Sequence, residues 1–427
     1  MIVELINTGS ELMLGRVLNT HQQWLCRRMA DLGYVVSRQV AVPDTGPAIQ
    51  QAVSESLSRA DVVVVTGGLG PTSDDITRDL IAQLLGRGLR EDPAIVDHIR
   101  SYFESRKRPM PESTRIQAQI PEGAIVLTNP NGTAPGLALS IEPNPCRAGK
   151  NAFLVMLPGP PRELRPMFTA AVVPLLRQFS PLSESFVCRT LRSVGIGESR
   201  VEEMIAPNLQ GLVDQGLQIG YCARPGLVDV RLSSTAAGGA RLVAEAGAIV
   251  TEKLGINLYG VDEDDLESTL ISMLSARSQT LAVAESCSGG YICNLLTNVP
   301  GASAVLLAGL VTYSNASKQR FAGVKESTLG AYGAVSEPVA REMAEGARRE
   351  TGADFALAVT GIAGPGGGTP AKPVGTVFIA LALAGEALAI RQLNTFDRET
   401  FKQVTAQQAL DLLRRTLISH GTAKAHS

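Results

Sequence analysis

The sequence predicts an α/β protein with two α/β domains and a small α+β domain between them. Three observations carry this prediction. Strand-like and helix-like segments alternate through the first third, the pattern of a layered fold with a mostly parallel sheet. Between residues 180 and 259 short strand candidates outnumber helices. From residue 266 to about 419, strands again run into Gly-rich loops and helices. The expected domains are 1–178, 179–261 and 262–420. At about 150 residues per domain, the 427 residues hold two to three domains.

The elements follow from local chemistry. Residues 1–7 form a strand. A helix spans 20–32, with Asn19 placed to cap it and Gly33 to end it. Residues 34–42 are a strand, and 47–59 a helix with Pro47 in its first turn. The continuous β-branched run at 61–66 reads as a strand buried on both faces. A Gly-rich loop follows, then a helix from about residue 76. Strands near 136–141 and 153–157 lead to a helix ending near 178. In the middle, strands fit 186–194, 217–222 and 228–233, and helices fit 198–208 and 240–254. Asp262 to Asp265 form a linker and cap cluster that opens a helix through Leu274. The last part has strands at 280–284, 355–360 and 376–383, and helices at 337–351 and 398–417.

Composition narrows the function. Hydrophobic residues at 44% and charged ones at 19% are ordinary for a globular chain. The 39 Lys+Arg against 41 Asp+Glu give a net charge of −2, which argues against direct nucleic-acid binding. Aromatics at 4% leave few base-stacking platforms. Residues 1–9 have no basic n-region, and Glu4 interrupts the first apolar stretch. The longest apolar run, 299–311, is shorter than the roughly 18 residues of a membrane span. We expect a soluble, cytoplasmic protein with no membrane partner. None of the six cysteines forms a CxxC pair, which argues against a zinc site or a disulfide framework.

In open parallel sheets ligands sit beyond the carboxyl ends of strands. Two such ends carry polar loops here: Thr8-Gly9-Ser10-Glu11, and Thr66 through Asp75. Glycines let backbone N–H groups approach a phosphate. Asp74 and Asp75 suit a divalent cation, and equally suit the cap of the next helix. Neither loop has the dinucleotide or the P-loop spacing.

TGGLGPTSDDITRD resembles the signature loop of molybdopterin-binding (MoCF-type) domains, and GSELMLGRVLNTH resembles their first βα loop. NPNGTAPGL and LPGPPREL are similar to further motifs of the CinA family, whose N-terminal domain has this fold. The resemblance implies hydrolysis of ADP-ribose to AMP and ribose 5-phosphate with a divalent metal, Mg or Co. It implies that Asp74, Asp75 and Glu11 hold the metal, that Ser10 lines the facing loop, and that Gly67, Gly68 and Gly70 lie on the phosphates. Lys107 and Lys150 are the only lysines before the middle segment, so Arg78, Arg115 or Arg162 would meet the phosphates. Pterin binding without catalysis is the alternative for this domain.

The last third concentrates hydroxyls and glycines in three loops. These are Glu285-Ser286-Cys287-Ser288-Gly289-Gly290, residues 300–318, and Gly361-Ile362-Ala363-Gly364-Pro365-Gly366-Gly367-Gly368. A nucleophilic Ser needs a base, usually His. The only His residues here, His420 and His426, are at the tail. Lys is therefore the leading base, kept neutral by burial or a neighbouring cation. Lys318 lies in the densest hydroxyl cluster, five residues after Tyr313. Cys287 is the rival nucleophile and would need a cationic partner.

AESCSGG, PGASAV, GLVTYSNASK, YGAVSEPVA, VTGIAGPGGG and KPVGTV resemble the C-terminal domain of the CinA family, the nicotinamide-nucleotide amidases. The resemblance implies deamidation of nicotinamide mononucleotide (NMN) to nicotinate mononucleotide and ammonia, with no cofactor. It implies a catalytic Ser303 with Tyr313 and Lys318, and Ser286 near the reacting centre. Arg398 matches the family's substrate-binding Arg, although the Gly often found before the Asp is missing. The substrate's 5′-phosphate is expected on Gly289 and Gly290 or on Gly364 and Gly366. The middle domain resembles the KH-like insert of this family. Its Gly195-Ile196-Gly197-Glu198 is not the GxxG loop that grips RNA, which favours a spacer or oligomer-contact role. The family resemblance implies a homodimer. A competence- or recombination-linked adaptor that contacts a recombinase is the non-catalytic alternative.

Overall fold

The computed structural model describes residues 1–34, 36–179 and 186–424. The expected boundary after residue 178 falls at the end of the helix Val173–Phe179, and residues 180–185 that follow lie outside the described residues. The chain divides into two compact units, Met1–Phe186 and Val187–Ser427.

In the first unit the described residues form eight strands: β1 Val3–Thr8, β2 Val36–Val42, β3 Val62–Thr66, β4 Leu89–Glu91, β5 Gln119–Pro121, β6 Ile125–Leu127, β7 Gly136–Ile141 and β8 Ala152–Leu157. Six of them make one sheet in the order β2-β1-β3-β8-β7-β6. The first four run parallel, and β7 and β6 antiparallel. The run VVVVT of β3 is buried at every residue because helices cover both faces. Leu25, Met29, Leu164 and Phe168 pack on one side, and Ile49, Val53, Leu57 and Ile81 on the other. The helix Thr20–Asp31 starts where its cap predicts, with the Asn19 side chain accepting from the Gln22 amide at 3.1 Å. The register Asn7↔Thr66 brings the carboxyl ends of β1 and β3 side by side. Both Gly-rich loops therefore open on one edge of the sheet.

The second unit holds two sheets. β9 Val187–Val194, β10 Gln218–Arg224, β11 Leu227–Ser234 and β12 Leu258–Val261 form an antiparallel sheet, β10-β11-β9-β12. The helices Glu198–Val213 and Gly239–Leu254 bury Val201, Ile205, Leu242 and Val250 in its core. The other sheet contains β13 Leu281–Glu285, β14 Leu306–Val311, β15 Phe355–Gly361, β16 Thr376–Leu383 and β17 Glu386–Leu393, in the order β14-β13-β15-β16-β17. β14, β13 and β15 are parallel.

Side chains of this sheet alternate by size. Leu281, Val283, Leu357 and Val359 face a core shared with helices Leu266–Ser275, Tyr291–Thr297 and Arg398–Lys424. Ala282, Ala284, Ala356 and Ala358 face the helix Glu337–Thr351. The period of two is that of a strand. Small residues on one face let a helix lie close, and at Gly346 an added Cβ would strike the backbone of Ala322.

Residues 300–318, read from sequence as a single loop, contain β14 and the helix Asn315–Ala322. β14 is an edge strand whose exposed residues alternate with half-buried ones, and it contains Gly309. It lacks the continuous apolar signal of β3.

Candidate functional site

β13 ends at Glu285, and the next residue continues the ladder, with the Ser286 amide donating to the Val359 carbonyl at 3.0 Å. The chain then turns through Gly289 and Gly290, both at positive φ (65° and 94°), into the helix Tyr291–Thr297. These conformations favour glycine. The fully buried Glu285 carboxylate fixes the turn. It accepts from Ser288 Oγ at 2.6 Å and from the amides of Gly290, Ile292 and Cys293 at 3.0, 3.1 and 2.9 Å.

Lys318 reaches the same point from the neighbouring element. The Ser314 hydroxyl caps the helix Asn315–Ala322 by accepting from the Ser317 amide at 3.1 Å. Lys318 in its first turn is 1% exposed. Its Nζ lies 2.9 Å from Ser286 Oγ, 2.9 Å from the Thr312 carbonyl and 3.4 Å from the Tyr313 carbonyl. No carboxylate pairs with it among the described residues. Burial pulls its pKa below the ordinary lysine value of 10.5. Nζ can donate to all three partners as an ammonium, and as a neutral amine it keeps a place for each of them. The amine donates two N–H groups to the carbonyls and accepts the Ser286 hydroxyl proton with its lone pair.

Arg398 closes the network. It opens the helix Arg398–Lys424 and donates to the Gly364 carbonyl at 2.8 Å and to the Tyr313 hydroxyl at 2.9 Å. Tyr313, Lys318, Ser286, Arg398 and the Gly364 loop thus form one hydrogen-bonded set at the carboxyl ends of the parallel strands.

Ser303 stands outside that set, a correction to the expectation for it. It is exposed on the short turn Ala302–Ala304 that precedes β14. The register Leu281↔Leu306 and Glu285↔Val311 puts this turn at the amino end of the strand pair, and Ser286 at the carboxyl end. The six residues of β14 between them span roughly 16 Å at ~3.3 Å per residue. The hydroxyl beside Lys318 belongs to Ser286.

Two further expectations change. The Gly290 amide is spent on Glu285 and the Gly289 amide on the Ser286 carbonyl, so the turn has little left for a phosphate. The amides of exposed Gly366, Gly367 and Gly368 take no hydrogen-bond acceptor among the described residues. Cys287 is 7% exposed, and burial together with the Glu285 charge pushes its thiol up to about 12, far from a thiolate at neutral pH.

In the first unit, a pocket of about 390 Å³ lies over β1 and β3. Gly67, Gly68, Gly70, Glu11, Asp74 and Asp75 line it. Asp44, Gln117 and Glu163 also line it, and the sequence reading missed all three. Their segments are far apart in the chain and carry no spacing signal. Asp44 also holds Ser10, accepting from its amide at 2.7 Å and donating its own amide to the hydroxyl at 3.2 Å. Asp75 accepts from the Thr72 amide at 2.9 Å and from the Thr72 hydroxyl. It closes its own loop rather than capping the helix Thr77–Leu84, which starts with no side-chain cap. A Cβ at Gly68 would strike Thr77, and one at Gly70 would strike Asp75.

Among the described residues no Lys or Arg lines this pocket. Arg78 is buried and donates to the Ile116 carbonyl, and Arg115 pairs with Glu91. Arg162, 3.8 Å from Glu163, has the most exposed side chain of the three. Among the described residues no three His, Cys, Asp or Glu converge as a preassembled metal centre. The separated carboxylates fit a divalent ion that arrives on a phosphate and keeps several waters.

Fold and sites define a multidomain protein in which a molybdopterin-binding-type domain is joined through a KH-type domain to a second α/β domain. Residues 4–178 match the family described as probable molybdopterin binding domain. Residues 188–283 match the damage-inducible protein CinA KH domain, and 263–417 the CinA C-terminal domain. The chain belongs to the CinA family. It is 45% identical over 413 residues to a CinA-like protein of Akkermansia muciniphila, covering 96% of this chain and 95% of that one. It is 41% identical to a putative competence-damage inducible protein of Caldicellulosiruptor bescii, covering 98% and 100%. A solved structure of the competence/damage inducible protein CihA from Agrobacterium tumefaciens is 40% identical, covering 36% of this chain and 93% of that one, with a TM-score of 0.35.

Proposed function

We propose that the C-terminal site deamidates NMN to nicotinate mononucleotide and ammonia, with Ser286 as nucleophile and Lys318 as its base. The observation that carries this reading is the buried Lys318 amine, 2.9 Å from Ser286 Oγ with no carboxylate pairing it. Neutral Lys318 takes the hydroxyl proton as Ser286 Oγ bonds to the carboxamide carbon. The proton then passes from Lys318 to the amide nitrogen, the C–N bond breaks and ammonia leaves. Water attacks the acyl ester and gives one proton to Lys318, which passes it to the departing Ser286 Oγ; the acid formed releases its remaining proton to solvent and leaves as the carboxylate. Arg398 holds the Tyr313 phenol at the mouth of the site, and the Gly366–Gly368 amides suit the 5′-phosphate. Incubating the full chain with NMN and measuring ammonia tests the reading. Release of one ammonia per nicotinate mononucleotide is expected. No release between pH 6 and 10 favours the adaptor role instead.

For the N-terminal pocket we propose hydrolysis of ADP-ribose to AMP and ribose 5-phosphate. Its supporting observation is a lining with five carboxylates and no cation, so a pyrophosphate enters only with its charge already neutralised. One or two of the separated carboxylates Glu11, Asp74 and Asp75 would hold a Mg or Co ion that arrives on the phosphates, which would screen them and acidify a bound water. Chelation with EDTA is expected to abolish AMP formation and leave ammonia release unchanged, with Mg or Co restoring AMP. Binding of molybdopterin in preference to ADP-ribose would support pterin binding.

A further inference from the structure

Glu285 stands immediately before the proposed nucleophile and has no direct part in the chemistry above. It is 0% exposed, and no cation pairs with it among the described residues. A carboxylate so placed is stable only when donors replace its hydration. Glu285 has four, and all of them come from the segment Ser288–Cys293. One side chain therefore ties the end of β13 to the start of the helix Tyr291–Thr297, with Ser286 in the loop between them.

An ordinary cap satisfies one or two amides at an exposed helix end. This carboxylate takes three amides and a hydroxyl inside the core, for a helix of only seven residues. Such an investment in a short helix fits the need to fix what the turn carries. The Ser286 amide is held by Val359 on one side, and the rest of the turn by Glu285 on the other. Ser286, whose Oγ lies 2.9 Å from Lys318 Nζ, sits between these two restraints.

We propose that Glu285 is the positioning residue of the Ser286–Lys318 pair, holding the turn that aims the serine hydroxyl. The proposal rests on the amidase reading of this site. Its test uses two readouts on the full chain, so that the two ideas fail separately. The first is the steady-state rate of ammonia release from NMN. The second is labelling of Ser286 by phenylmethanesulfonyl fluoride, followed by mass spectrometry. In the labelling the serine oxygen bonds to sulfur, fluoride leaves and Lys318 takes the proton.

Glu285→Gln keeps the shape but turns an NH2 group toward N–H donors. It is expected to lower kcat and the labelling rate about 100-fold, the scale of an ångström of misplacement, with KM within about threefold. Glu285→Asp keeps the charge but retracts it by one methylene, and is expected about tenfold down. Ser288→Ala removes one donor of four and is expected to cost less than about fivefold. Glu285→Gln with unchanged labelling, or with raised KM at constant kcat, overturns the proposal. If that variant does not fold, unchanged rates in Glu285→Asp overturn it. A wild-type chain that labels at Ser286 but releases no ammonia overturns the amidase reading, and the labelling rates still decide the role of Glu285.

Discussion

Lys318 shows how burial draws the pKa of a common surface residue down toward the range a base needs. Its three hydrogen-bond partners suit both protonation states, because the ammonium donates three times and the amine donates twice and accepts once. Burial favours the amine, so kcat/KM is expected to rise with pH along a limb centred below 10.5. A limb at or above that value would remove Lys318 as base. The same shift affects folding. Between the lowered folded value and the unfolded one the folded chain binds fewer protons at this site, so its cost to stability shrinks as pH rises through that window. Cys287 makes the contrast. With its thiol pushed up to about 12, Cys287→Ala is expected to keep kcat within about threefold, measured by ammonia release. Sequence reasoning identified Lys318 by elimination, since histidines were too few. The pairing of that lysine with Ser303 came from the family resemblance alone, and the structure places Ser286 beside Lys318 instead.

Secondary-structure elements explain which signals were legible. The cap cluster before residue 266 was readable, and Asp265 does form a reciprocal box with Ser268, at 2.7 Å for the Ser268 amide and 3.2 Å for the return bond. Asp265→Ala is expected to cost about 1 kcal/mol in urea unfolding of the second unit. An unchanged midpoint would deny the box any weight. β3 and β13 were readable from continuous apolar runs, as expected of strands covered on both faces. β14 and β17 were not, since each is an edge strand with mixed exposure. Without β14 the sequence carries no signal that Ser303 and Lys318 lie at opposite ends of one strand. The helix Tyr291–Thr297 was hidden by the two glycines before it, which the turn requires at positive φ.

For the whole molecule, each unit offers a site at the carboxyl ends of parallel strands, where the fold class puts ligands. Within the second unit the KH-type sheet is fastened to the long last helix. Buried Arg414 donates to the Ile256 and Leu258 carbonyls and is held by Asp411. That helix begins at Arg398 in the proposed site. No helix of the described residues is long and apolar enough to cross a membrane. The central claim is that one buried amine and the adjoining serine at the head of this sheet cleave the carboxamide. The most direct measurement compares Ser286→Ala with Ser303→Ala for ammonia release from NMN. The account predicts at least a 1,000-fold loss for the first and less than about fivefold for the second. The reverse ranking, or full activity in Ser286→Ala, would contradict it.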